Sequence, residues 1–66
     1  MIEEIKKKLN SEITKLNKGM YFNLDEMDKD KEFAQYHRVE FLKCRYAKLE
    51  LEFILEFINN LESKGE

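Results

Sequence analysis

The sequence lacks proline and tryptophan, and it contains two glycines, one cysteine and one histidine. A single cysteine excludes an internal disulfide, and one thiol with one imidazole falls short of the ligand set of a structural zinc site. A chain of 66 residues forms one small domain, which usually needs a disulfide, a metal or oligomerisation to be stable. We therefore predict no metal and no cofactor, and we expect oligomerisation to supply the missing stability.

Long apolar runs are also missing. No run is longer than three residues, as in Phe53-Ile54-Leu55, whereas a membrane-spanning helix needs about 20 apolar residues. The first residues, MIEEIKKK, are mostly charged, so we expect no secretion signal. A cysteine without a partner is typical of a reducing compartment. The sequence thus predicts a cytoplasmic protein that does not enter a membrane.

Charge is balanced overall, with 12 basic and 14 acidic residues and a net charge of −2. It is unevenly distributed, however. Residues 33–48 contain four basic residues and one glutamate, for +3, whereas residues 49–66 contain five glutamates and one lysine, for −4. Neither block is long enough to indicate a disordered polyelectrolyte tail.

The first third of the chain has the periodicity of an amphipathic helix. Its apolar residues recur at intervals of three and four, which places them on one helical face. They are Ile2, Ile5, Leu9, Ile13, Leu16 and Met20. Glycine readily takes the left-handed conformation that ends a helix, so Gly19 predicts the end of helix 1, at about residues 2–18.

A second helix is predicted to begin near Asn23. Asn23 is a candidate N-cap with Glu26 three residues later, and Phe22 and Met27 occupy the positions of a hydrophobic staple. The prediction is a turn at 19–23 and a helix at about 24–63, which form one helical-hairpin domain over 1–66. The stretch 28–32 has no apolar residue, so a break there is the alternative. A strand at LELEF is a further alternative, but no second strand signal accompanies it.

The fold class is therefore all-α, a hairpin of a short helix 1 and a long helix 2, and the second half of helix 2 would overhang. Apolar residues surround much of that half, so we predict that the overhang pairs with a second copy in a four-helix-type bundle. The predicted oligomer interface is Val39, Leu42, Tyr46, Leu49, Leu51, Phe53, Ile54, Phe57, Ile58 and Leu61.

Two further groups are candidates for binding a different partner. The first lies at the predicted turn and consists of Met20, Tyr21 and Phe22; capping of the bundle end is the simpler interpretation. The second is an acidic strip near the C-terminus, for which a solvated helix face is the simpler interpretation. It consists of Glu50, Glu52 and Glu56, with Glu62 beyond.

No catalytic constellation is predicted, so we expect the protein not to be an enzyme. His37 and Cys44 lie seven residues apart, about 10 Å along one helix, so the imidazole cannot activate the thiol. The acidic run that begins at Asp28 resembles the start of a calcium loop. Phe33 stands where that loop needs glycine and Val39 where it needs glutamate, which excludes calcium binding.

These observations predict a non-catalytic protein–protein interaction module, a small regulator or inhibitor of the kind made by phages, plasmids and bacteria. Lysines 6–8 and 15, or Arg38, Arg45 and Lys48, form short basic strips. With these strips, a dimer of helical hairpins resembles Rop, a plasmid-encoded RNA-binding protein, in length and plan. The alternatives are thus a nucleic-acid-binding regulator of that type and a coiled-coil assembly subunit.

Overall fold

The computed structural model describes residues 1–65 as two helices joined by a short turn. Helix α1 spans Ile2–Lys29 and helix α2 spans Ala34–Gly65. They lie antiparallel side by side, in a rod of 53 × 15 × 12 Å. The predicted all-α hairpin is confirmed for the described part of the chain. The two helices have nearly equal lengths of 28 and 32 residues, so the predicted short helix 1 is wrong.

Helix α1 does not end at Gly19, and Asn23 does not begin α2; both predictions are wrong. Gly19 has a negative φ and lies inside α1. The absence of a side chain at Gly19 allows the two helices to pack closely, because a Cβ at this position would lie 3.1 Å from Cys44 Sγ on α2. Asn23 lies in the same helix, where its side-chain amide donates to the Gly19 carbonyl over 2.8 Å. The expected staple between Phe22 and Met27 therefore lies within continuous helix.

The turn comprises residues 30–33 and overlaps the charged stretch 28–32, the alternative break that the sequence allows. The Asp30 N–H donates to the Glu26 carbonyl over 2.8 Å and closes α1. The Asp30 side chain then accepts a hydrogen bond of 3.3 Å from the Phe33 N–H, and the His37 N–H donates to the Phe33 carbonyl as α2 begins. Aspartate suits this role because its short side chain satisfies backbone donors that a helix start leaves free.

The overhang of α2 is also a wrong prediction. Because α1 continues for about three turns beyond Gly19, it runs beside the whole of α2. Lys6 near the start of α1 forms an ion pair with Glu62 near the end of α2. Among the described residues, neither helix has the length of apolar sequence that crossing a bilayer requires.

Candidate interaction surface

The two helices meet along one contact line, which we call the seam. Its residues recur alternately every three and four positions, the spacing of a coiled coil. Each is at most partly exposed. On α1 they are Leu9, Ile13, Leu16, Met20, Asn23 and Met27, and on α2 they are His37, Phe41, Cys44, Lys48, Leu51, Leu55, Ile58 and Glu62.

A polar contact crosses the seam near the turn. His37 Nδ1 lies 3.0 Å from Asn23 Oδ1. Because the Asn23 amide nitrogen already donates to the Gly19 carbonyl, its oxygen faces the imidazole and accepts from Nδ1–H. Asn23 is 8% exposed and is the one buried residue among those whose side chains the structure describes. A polar residue in a coiled-coil seam fixes the register of the two helices, because only one pairing satisfies it.

Replacing Asn23 by alanine is expected to destabilise the fold by about 1 kcal/mol, because the seam loses a hydrogen bond and His37 loses its partner. The gain in helix propensity offsets part of this loss. The same substitution at the exposed Asn10 is the control and should stabilise slightly. Urea unfolding at a fixed protein concentration gives both values. Equal effects of Asn23→Ala and Asn10→Ala would contradict a role for the seam contact.

The far end of the seam carries the ion pair between Lys6 and Glu62. The carboxylate of Glu62 accepts a hydrogen bond from the amine and raises the pKa of Lys6 above its usual value. This pair and the Asn23–His37 contact thus mark opposite ends of the hairpin. Each contact joins a part of α1 to the part of α2 that the seam brings beside it.

A second apolar surface lies on α2, on the side that faces away from α1; we call it the outer stripe. It consists of Val39, Leu42, Tyr46, Leu49, Phe53 and Phe57. Phe53 follows the seam residue Leu51 by two positions, which is about 200° around the helix. Phe53 is 71% exposed, Tyr46 64% and Phe57 57%. A shallow groove beside the stripe has the small Ala47 next to Tyr46, Phe53 and Ile54.

The predicted interface residues thus divide between two surfaces. Val39, Leu42, Tyr46, Leu49, Phe53 and Phe57 form the outer stripe. Leu51 and Ile58 belong to the seam and pack beside α1. Ile54 and Leu61 lie on the flank between the two, and both remain exposed.

The residues predicted to contact a different partner are also separated. Met20 lies in the seam, while Tyr21 and Phe22 are exposed on α1. The Phe22 ring contacts His37 edge-on, with ring centroids 6.4 Å apart. Glu50, Glu52 and Glu56 are exposed on the C-terminal half of α2. The seam role of Asn23 was missed, although its four-residue spacing from Met27 and three-residue spacing from Met20 was a signal for it.

Four residues of the basic strips, Lys6, Lys8, Lys15 and Lys48, form ion pairs with acids, whereas Lys7, Arg38 and Arg45 are in none of the ion pairs of the described residues. Lys8 and Lys15 both reach Glu12, at 3.3 and 3.5 Å; these contacts lower the pKa of Glu12. Lys6 pairs with Glu62, and Lys48 lies 4.0 Å from Glu52. Each of these pairs reduces the positive charge available for contacts with phosphates. The geometry therefore gives the nucleic-acid alternative no added support.

Within the described residues, no cluster of three or more histidine, cysteine, aspartate or glutamate side chains has the geometry of a metal site. Cys44 lies in the seam against Gly19, and His37 is engaged by Asn23. Comparison of the chain with protein-family models, curated proteins and solved structures gives no match. The outer stripe is thus the feature from which a function can be argued.

Proposed function

We propose that this chain is a non-catalytic protein–protein interaction module that binds through the outer stripe, first of all to a second copy of itself. The supporting observation is that α2 is apolar on two opposite sides while α1 covers one of them. A surface helix of a stable monomer normally carries a single apolar stripe. The second stripe requires a second neighbour.

The incomplete burial of the apolar side chains in the hairpin supports the same proposal. None of the apolar side chains described between residues 1 and 64 is fully buried. Two helices side by side enclose no interior, and a chain this short has little stability to spare. Covering the outer stripe would remove large side chains from water, each worth about 1.5–3 kcal/mol when fully buried. Self-association therefore supplies the core that one hairpin lacks.

Regulation or inhibition of a different protein remains a proposal that rests on sequence. The exposed aromatic residues near the turn, Tyr21, Phe22, Phe33 and Tyr36, are compatible with it, since they lie outside the outer stripe. Aromatic side chains are enriched at protein interfaces. The outer stripe itself is assigned to self-association.

Thermal unfolding at several protein concentrations tests the proposal. A self-associating fold is stabilised by mass action, so its unfolding midpoint rises with concentration. We follow unfolding by far-UV circular dichroism, which reports helix content. The midpoint is expected to rise as the protein concentration increases over a wide micromolar range. A midpoint independent of concentration, with full helicity, would contradict self-association.

A further inference from the structure

We infer that two copies of the chain pair antiparallel through their α2 helices, with the outer stripes face to face and the basic half of each α2 against the acidic half of the other. This inference rests on the proposed function and adds the orientation and register of the pair. Each α2 would then lie between its own α1 and the α2 of the second copy. The result is a layered arrangement rather than a square bundle.

The stripe itself defines the register. Its members Leu42, Tyr46, Leu49 and Phe53 follow the four–three–four spacing of a coiled-coil seam. In an antiparallel pair centred between Tyr46 and Leu49, Tyr46 packs against Leu49 of the second copy. Leu42 packs against Phe53 of the second copy in the next layer. Tyr46 and Phe53 thus each pack against a leucine of the second copy, and no layer has to hold two aromatic rings.

The charges beside the stripe match this register. Arg45 and Glu52 lie on one flank, and Lys43 and Glu50 lie on the other; all four are exposed. The antiparallel register brings Arg45 beside Glu52 of the second copy, and Lys43 beside Glu50 of the second copy. The twofold axis repeats both pairs. Flanking charges of this kind set the orientation of coiled-coil helices.

A parallel pair satisfies these charges less well. It brings Arg45 beside Glu50 of the second copy, which is favourable. It also brings Arg38 beside Lys43 of the second copy, and like charges at this distance repel. More generally, the parallel arrangement places the basic halves together and the acidic halves together. The antiparallel arrangement has the favourable pairs on both flanks without that repulsion.

The existing contacts leave these charges available. Lys43 reaches Glu40 at 3.4 Å and Lys48 reaches Glu52 at 4.0 Å, both within α2 and both near the solvent. Among the ion pairs of the described residues, none involves Arg45 or Glu50. A second copy can therefore engage them without breaking the hairpin.

Two double charge reversals distinguish the orientations. Arg45→Glu alone should weaken the dimer, with the dissociation constant rising about tenfold as attraction becomes repulsion. Arg45→Glu with Glu52→Arg should restore the wild-type constant, because the antiparallel pair is rebuilt with its signs exchanged. Arg45→Glu with Glu50→Arg should weaken the dimer further. Sedimentation equilibrium at low salt measures all three, since high salt screens these charges.

Rescue by Glu50→Arg instead of Glu52→Arg would overturn the antiparallel inference, and so would a lack of rescue by either. A distance measurement gives an independent answer. Spin labels at Ser63→Cys in a Cys44→Ser background should lie about 45 Å apart in the antiparallel dimer, against about 20 Å in a parallel one. A short distance in a stable dimer would refute the orientation alone, whereas a monomeric wild type would refute the proposed function as well.

Discussion

Phe53→Glu is expected to convert the proposed dimer into a monomer. Phe53 belongs to the outer stripe and is 71% exposed in the single hairpin. The substitution removes two phenylalanines from each dimer interface and places two carboxylates there. Since burial of each ring is worth about 1.5–3 kcal/mol, the dissociation constant should rise by a factor of about 100 or more. Sedimentation velocity at micromolar concentration measures the change.

Tyr21→Glu is the matched control for this substitution. Tyr21 is an aromatic residue of similar exposure, 67%, but it lies on α1 outside the stripe. It should leave the dimer intact, because the same change of charge then falls on a solvated surface. If both variants dissociate, net charge is the cause. If Phe53→Glu remains dimeric, the outer stripe is not the interface.

Leu51→Asp, only two positions away, is expected to have a different and larger effect: it should unfold both helices. Leu51 lies in the seam and is partly buried beside α1. Aspartate there loses the apolar contact and places a charge between the helices, for a combined cost of about 3–4 kcal/mol. That cost is comparable to the whole stability of a chain this small. Circular dichroism should show the loss of most helical signal.

Glu56→Asp is the control for Leu51→Asp, because it introduces aspartate into the same helix at an exposed position. It should lower the free energy of unfolding by only about a few tenths of a kcal/mol, because aspartate has a slightly lower helix propensity than glutamate. A helical Leu51→Asp variant that has merely become monomeric would contradict the division of α2 into a seam side and an outer side.

The helices themselves were predictable because three–four spacing of apolar residues is a strong signal. The position of the turn was not. Glycine often ends a helix and asparagine often begins one, so Gly19 and Asn23 predicted a turn between two helices. Tertiary packing overrode both, since Gly19 allows close approach to Cys44 and Asn23 is satisfied by His37 across the seam. Only the partner helix reveals these uses, and a single sequence does not show which residues face each other.

The outer stripe was predicted from the sequence, although the reason first given for it was wrong. Val39, Tyr46, Leu49, Phe53 and Phe57 were identified because α2 has more apolar surface than one neighbour can cover. That prediction depended on a short helix 1 and an overhanging helix 2. Because α1 extends to Lys29, the apolar surface of α2 that α1 leaves uncovered lies on the side of α2 opposite α1. It does not lie beyond the end of α1. Leu51 and Ile58 of the predicted interface therefore pack beside α1, whereas the outer stripe is the surface that we propose to bind a second copy.

Sedimentation equilibrium of the wild-type protein tests the central claim most directly. At micromolar concentration the account predicts a single species with twice the 8.0 kDa mass of the chain, and dissociation on dilution. A fully helical species of 8.0 kDa at every concentration would contradict it.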